Sequence, residues 1–146
     1  MPRNTNHPVD SPEITIRMKH GIHTIFMFVG LDDSFSKITD ELLTILRDLY
    51  PDGLTTSIHP PKQTSVPASN TEVRVVYGLP KNLSNLSLGW ERFDVKETDR
   101  PFDRSELRNN CSVAFTLIGA GERDENAQFE VEIPTLEDGF ASASSK

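Results

Sequence analysis

Four histidines and one cysteine are the side chains best suited to metal binding or nucleophilic chemistry in this chain. His20 and His23 are expected to flank a turn, which would bring the two imidazoles together. Two histidines without a cysteine or carboxylate companion do not complete a zinc site. His7 and His59 are scattered elsewhere in the sequence. We therefore expect surface histidines, and neither a metal nor any other cofactor.

The other groups with catalytic chemistry are also better explained by structure. Cys111 has no neighbouring histidine or predicted helix N-terminus to activate its thiol, and it is interpreted as a small packing residue. The GAG turn at 119–121 lacks the third glycine of a phosphate-binding loop, and the acidic residues after it would repel phosphate. Those acidic residues are interpreted as a solvated loop: Glu122, Asp124 and Glu125. No catalytic residue is predicted, and the protein is not expected to be an enzyme.

Length and composition predict one domain with polar ends. The chain has 146 residues, of which 36% are hydrophobic and 25% charged. Residues 1–12 and 135–146 are polar or small and are expected to be a disordered lead and tail. The domain is expected to span residues 13–134, with insertions at 55–70 and 80–90. The Ser-, Thr- and Pro-rich residues 55–70 are interpreted as a long surface loop.

Charge and hydropathy limit the possible partners. The net charge of −7 argues against a nucleic-acid or anionic-membrane surface. No apolar run approaches the roughly 20 residues that a membrane span requires. A single cysteine and the absence of an apolar signal core indicate a cytoplasmic or nuclear protein. We expect a protein partner, with no nucleic acid and no membrane.

One stretch has a clear helical period. Residues 34–50 carry apolar side chains at three- and four-residue intervals, with charged side chains between them. Ser34 stands at the N-cap position, and Pro51 to Gly53 would end the helix. The predicted apolar stripe comprises Phe35, Ile38, Leu42, Ile45, Leu46 and Leu49. A single such stripe predicts a helix that packs on one face of a sheet.

Alternating apolar residues predict the strands of that sheet. Ile14, Ile16 and Met18 alternate before a turn at residues 19–21, and a second strand follows. Further strands are predicted at 71–80, around 90–95, at 112–119 and at 127–134. The fold class is therefore α+β, a mixed sheet with one main helix on one face and an extra C-terminal strand.

This order of elements resembles the ubiquitin-like β-grasp superfamily, and two patterns carry the resemblance. The cap and apolar spacing of SFSKITDEL are similar to those at the start of the superfamily's helix. The segment RPFDRSELRNNCSVAFTL is similar to its last turn and strand. In register with both are Ile25, Met27, Val29, Phe102, Leu107, Val113, Phe115 and Leu117. The resemblance covers about residues 13–118 and implies a β-grasp fold.

The C-terminal sequence distinguishes this chain from conjugated ubiquitin-like proteins. It ends in ASASSK and has no Gly-Gly pair, so conjugation through the C-terminus is not expected. Among non-conjugated ubiquitin-like families it resembles the elongin B family. Both share a Thr-Ile-Phe on the second strand, residues 24–26 here, and an apolar-alternating segment leading into an acidic, Pro-containing tail. That family implies a non-catalytic subunit of a cullin-type ubiquitin ligase.

The best candidate site is a pair of phenylalanines. Phe26 and Phe28 lie on the second strand at positions opposite to its core residues, so they should point away from the helix. Either they bind a partner, or the segment 127–134 covers them or pairs with a sheet edge. The resemblance adds Val76 and Tyr77, because RVVYG aligns with the strand that carries ubiquitin's recognition patch. Thr116 replaces an aliphatic residue of that patch, so ordinary ubiquitin-receptor binding is not expected.

Two classes of function follow. The first is a non-catalytic interaction module, a subunit or adaptor of a larger complex such as an elongin-type ubiquitin ligase. Its candidate partner-binding residues are Phe26, Phe28, Val76 and Tyr77. The alternative is a small ligand-binding domain or enzyme with a cleft beside residues 55–70, lined by His59 and carboxylates. Trp90 is assigned to the core by default, with an interface anchor as the other option.

Overall fold

The protein has an α+β fold with β-grasp-like topology. In a computed structural model, residues 12–69, 71–119 and 121–133 are described. The chain forms a β-hairpin, a helix and then the remaining strands of a mixed sheet. The predicted lead and tail fall outside the described residues, apart from Pro12.

The main sheet has five strands. They are β1 (Glu13–His20), β2 (His23–Gly30), β5 (Val73–Pro80), β6 (Trp90–Phe93) and β7 (Cys111–Gly119). Their order across the sheet is β2-β1-β7-β5-β6. β1 and β7 are parallel, whereas the other neighbouring pairs are antiparallel. This arrangement confirms the predicted α+β class, with a mixed sheet and one main helix on one face.

The helix α1 (Phe35–Leu49) begins where the sequence predicts. The Ser34 side chain accepts a hydrogen bond from the Lys37 amide at 3.2 Å, which satisfies one of the unpaired donors of the first turn. The chain leaves the helix at Tyr50, whose amide still bonds to the Leu46 carbonyl. One residue of the predicted stripe is wrong: Leu49 is 63% exposed, whereas Leu43 is buried. The buried stripe therefore extends further toward the β5 side than the sequence indicates.

The core lies between α1 and one face of the sheet. It comprises Ile16, Met18, Ile25, Met27, Val29, Phe35, Ile38, Leu42, Leu46, Leu54, Tyr77, Phe93, Leu107, Val113 and Phe115. Cys111 packs against this cluster, as predicted for a packing residue. Burial raises the pKa of its thiol, which opposes a thiolate role.

The segment expected as a long loop contains a second, two-stranded sheet. β3 (Leu54–Ser57) and β4 (Lys62–Thr64) pair antiparallel, joined by the turn that holds His59. Leu54 and Thr56 are buried, so β3 covers the end of the core. The loop prediction for 55–70 is therefore wrong over these strands. The connection at 80–90 has one 3₁₀ turn, Leu86–Leu88.

The extra C-terminal strand is also a correction. Residues 127–133 make a single parallel bridge, between Val131 and Gly21, rather than a strand. They follow a 3₁₀ turn at Asp124–Asn126 and cross the sheet face opposite α1. We call residues 121–133 the C-terminal strap, and the face opposite α1 the outer face.

Candidate functional site

The two predicted phenylalanines lie open on the outer face. Phe26 is 55% exposed and Phe28 is 61% exposed. The hairpin register places Phe26 opposite Arg17 and Phe28 opposite Thr15. Directly opposed residues of an antiparallel pair point to the same side of the sheet. The outer side of β1 and β2 therefore presents two aromatic rings beside a guanidinium group.

A second cation completes this surface. Lys19 lies on the same side as Arg17, and its ammonium group donates to the Thr24 hydroxyl at 3.0 Å. Burial, and then the nearby charge of Arg17, lower the pKa of Lys19. We call Arg17, Lys19, Phe26 and Phe28 the hairpin face. It combines apolar rings with positive charge on a protein whose net charge is −7.

The side chain of Arg17 is partly buried within that face. Its Nε is shielded from solvent and has no hydrogen-bond partner within the part of the chain that the structure describes. A shielded donor without an acceptor costs free energy. A group that brings an oxygen to this atom would recover part of that cost.

The C-terminal strap covers the other half of the outer face. The ring of Phe129 lies over Gly78 of β5, so that a Cβ placed on Gly78 would be 2.9 Å from a ring carbon. Gly78 pairs with Ala114 of β7, which is fully buried. The lack of a side chain at Gly78 makes room for the ring. Thus the strap packs on β5 and β7, and the phenylalanines of β2 stay exposed.

Polar contacts fix both ends of the strap. Near its start, Arg74 forms an ion pair with Asp124. Near its end, the Gly21 amide donates to the Glu130 carbonyl at 2.7 Å, and the Glu132 amide donates to the Gly21 carbonyl at 2.8 Å. The sequence left open whether 127–134 covers the face or pairs at an edge. Its described part covers the face over β5 and β7, and pairs only with the hairpin turn.

Val76 and Tyr77, the other two predicted partner-binding residues, are buried. Val76 faces the outer side opposite Thr116 and is only 6% exposed. It lies between Arg74, which is ion-paired to the strap, and Gly78, which is under the Phe129 ring. Tyr77 is 2% exposed, in the core beneath α1. Neither side chain has a surface to offer a partner in this conformation.

Tyr77 has a structural role at the helix. Its ring packs against Phe35 with centroids 5.5 Å apart, and its hydroxyl shares a hydrogen bond of 2.6 Å with the Thr39 hydroxyl. Burial raises the pKa of this phenol. The group is therefore protonated at neutral pH and links the helix to β5.

The expectation of surface histidines is wrong for His20. Its side chain is 2% exposed, because β3 and the core enclose it. Nδ1 lies 3.1 Å from the Phe115 carbonyl, and Nε2 lies 2.9 Å from the Thr56 hydroxyl. His23 is half-buried, accepts a hydrogen bond from the Thr55 amide at 2.9 Å and packs against Tyr50. Both histidines join the first hairpin to β3.

This burial predicts that acid destabilises the fold. Burial lowers the pKa of His20 below its ordinary value of 6.5, and the nearby Lys62 acts in the same direction, whereas the Phe115 carbonyl and Glu130 oppose it. The unfolded chain therefore takes up a proton first as pH falls. The contribution of neutral His20 to the free energy of unfolding is complete above pH 6.5 and is lost as pH falls below it. Burial lowers the pKa of His23 too, so its contribution has the same sign.

Urea unfolding at about pH 7.5 and about pH 5.5 measures this effect, with the lower stability expected at the lower pH. His20→Gln should reduce the difference between the two values, because glutamine does not titrate. His59→Gln is the control, since His59 is exposed on the β3–β4 turn, and it should leave the difference unchanged. An unchanged difference in the His20 variant would contradict the assignment to His20.

The alternative cleft beside residues 55–70 does not gather the expected groups. The hollow between α1 and this segment is lined by Thr44, Arg47, Asp48, Pro51 and residues 66–69, without His59. Arg47 donates to the carbonyls of Pro67 and Ala68, so its guanidinium holds the segment in place. Within residues 12–69, 71–119 and 121–133, no three His, Cys, Asp or Glu side chains group to hold a metal ion. Over the same ranges no helix has the length and apolar character of a membrane span.

The sequence reasoning missed the cations of the hairpin face. Arg17 and Lys19 alternate with core residues of β1, which places them on the outer side. Had the turn been placed at Gly21 and Ile22, the register would have set Arg17 opposite Phe26. That signal was therefore present in the alternation of the two strands.

Trp90, assigned to the core by default, is half-buried on β6 opposite Pro80.

Comparisons of the chain with protein-family models, with curated proteins and with solved structures found no match. The assignment of this surface therefore depends on its own chemistry. Two exposed rings and two cations lie together on one hairpin, next to a strap that packs on β5 and β7 of the same sheet face.

Proposed function

We propose that the protein is a non-catalytic β-grasp interaction module that acts as a subunit or adaptor of a larger complex. It binds a protein partner through the hairpin face. The observation that carries this proposal is the exposure of Phe26 and Phe28 beside the part of the outer face that the strap covers. Two adjacent aromatic rings left open on a small domain are typical of a surface that another protein buries.

The chemistry of the hairpin face favours a partner that is apolar and acidic. Aromatic side chains and arginine are enriched at the centres of protein interfaces. Arg17 and Lys19 would favour carboxylates at the edge of such a contact. The resemblance to the elongin B family supports one finer proposal, that the complex is a cullin-type ubiquitin ligase.

A tagged pull-down from the native cell in mild salt, with mass spectrometry of the bound proteins, tests this function. The wild-type chain should recover a partner that Phe26→Ser/Phe28→Ser loses. The double change should leave the melting temperature nearly unchanged, because both rings are exposed. Leu83→Ser/Leu88→Ser is the matched control: these leucines are 83% and 55% exposed in the β5–β6 connection, and this variant should retain the partner.

The possible outcomes distinguish the general proposal, an adaptor that binds through the hairpin face, from the more specific one, a subunit of a ubiquitin ligase. A cullin or a small elongin-C-like protein among the recovered proteins supports the ubiquitin-ligase proposal. A different partner that is lost only with the two phenylalanines supports the adaptor function and rejects the ligase. Recovery of the same proteins by wild type and the Phe26→Ser/Phe28→Ser variant rejects the hairpin face as the binding surface.

A further inference from the structure

Among the residues that the structure describes, β2 is the outermost strand of the sheet, and one of its edges has no neighbouring strand. Successive residues of β2 direct their backbone groups alternately to β1 and to the opposite edge. The two-residue turn determines which residues do which, because His20 and His23 form the hydrogen-bonded pair that closes it. Residues 25, 27 and 29 then bond to β1, whereas residues 24, 26, 28 and 30 direct their backbone groups to the free edge. The Gly30 amide fits this alternation, since it bonds to the Asp33 carboxylate at 2.8 Å on that side. In the described parts of the chain, the outward backbone groups of Thr24, Phe26 and Phe28 have no backbone partner.

This edge lacks the features that usually protect a strand from pairing. Natural edge strands carry charged residues, proline or a β-bulge, or they are very short. β2 has eight residues, with no Lys, Arg, Asp, Glu or Pro among them. Its register with β1 runs without a shift from Glu13↔Gly30 to His20↔His23. The free part of the edge, from Thr24 to Phe28, is therefore about 17 Å long and regular, without a charged side chain of its own. The Asp33 carboxylate borders it at Gly30.

We propose that β2 pairs antiparallel with β2 of a second copy of this chain, so that the two five-stranded sheets join into one. The inference goes beyond the proposed function: the second copy pairs with the edge of β2, whereas the outer face of the hairpin, with Arg17 and Lys19, stays open to the acidic partner proposed above. A two-fold axis next to Met27 places Phe26 of each copy opposite Phe28 of the other. The four rings then meet on one face as cross-strand aromatic pairs, and the outward backbone groups bond to each other.

A second copy suits this edge better than an unrelated strand does. β2 has no charged side chain with which to select a different protein. Under a two-fold axis, Phe26 and Phe28 of one copy lie opposite Phe28 and Phe26 of the other. The two copies of Arg17 would be three strand spacings apart, about 14 Å. That distance exceeds the screening length of about 8 Å at physiological ionic strength. The cations of the hairpin face therefore do not oppose the dimer, and only the net charge of −7 per copy acts against it.

Sedimentation velocity of the full chain, from about 1 to about 300 μM, tests the proposal over the affinity range of small interfaces. The mass should rise with concentration from 16.4 kDa toward twice that value. Added salt should strengthen the association, because it screens the like net charges. Phe28→Lys should weaken it at least about tenfold, since it places a charge in the centre of the aromatic cluster. Leu83→Lys, the same kind of change at an exposed leucine of the β5–β6 connection, should leave the association unchanged.

Residue-resolved hydrogen exchange gives the second measurement. The amides of Thr24, Phe26 and Phe28 should exchange fast in the dilute monomer and slowly at high concentration. Slow exchange of these amides in the monomer would mean that another segment of the chain covers the edge, and it would overturn the proposal. A monomer at every concentration, or a dimer that Phe28→Lys does not weaken, would also overturn it. If the chain is monomeric but loses a cellular partner with Phe26→Ser/Phe28→Ser, the self-pairing is wrong and the adaptor function stands.

Discussion

Gly21→Ala should destabilise the protein by about 3 kcal/mol or more, through strain and steric overlap together. Gly21 has φ +58°, a left-handed conformation that costs free energy for any residue with a Cβ. A Cβ at this position would also lie 2.0 Å from the Thr55 carbonyl oxygen. That oxygen already accepts a hydrogen bond from the Ile22 amide at 3.1 Å, so β3 cannot withdraw without losing the bond. Because a domain of this size is stable by only about 5 to 15 kcal/mol, the loss should be evident in a urea titration.

Gly119→Ala is the matched control for this prediction. A Cβ on Gly119 would meet no atom within 4 Å, and Gly119 does not have a positive φ. The substitution should therefore be neutral or stabilise the fold by up to about 1 kcal/mol. A Gly21 variant as stable as the Gly119 variant would show that the hairpin turn does not contact β3 as described.

Phe115→Ala should cost about 3 to 5 kcal/mol, because it removes a ring from the centre of the core. Phe115 is fully buried on β7, and its ring lies 5.4 Å from the His20 ring, centroid to centroid. Phe28→Ala removes the same atoms from a residue that is 61% exposed, and it should change stability by no more than about 0.5 kcal/mol. Urea titrations of the two variants measure the contrast. Equal losses would mean that Phe28 is a core residue, and the hairpin face would then be wrongly assigned.

Local patterns predicted the framework of the fold. The N-cap at Ser34 and the apolar stripe after it placed the start of α1 correctly, since both depend on residues close in sequence. Local runs of apolar residues, most of them alternating, predicted the five strands of the main sheet. The β3–β4 pair was missed because its sequences, LTTS and KQT, are short and mostly polar. These strands are positioned by contacts distant in sequence, such as the bond between Thr56 and His20.

The part of the candidate site that depends on local sequence patterns was predicted, and the part that depends on distant contacts was not. Phe26 and Phe28 were found because apolar residues at both alternating positions of one strand are detectable locally. The burial of Val76 could not be found in that way, since the strap that crosses its face begins more than forty residues later in the chain. His20 was expected at the surface because of its residue type and its place beside a turn. Its burial depends on a partner 36 residues away.

The parallel pairing of β1 with β7 has a kinetic consequence. The centre of the sheet joins the first strand to the last, and the Thr15 amide bonds to the Asn109 side chain 94 residues further along the chain. The entropy of closing so long a loop must be overcome before the central contacts form, which slows folding relative to a chain of local contacts. During synthesis the hairpin emerges from the ribosome long before its neighbour β7 does. The free edge of β2 and the unpaired side of β1 are therefore both open on the nascent chain, and unpaired strand edges of this kind are prone to aggregation.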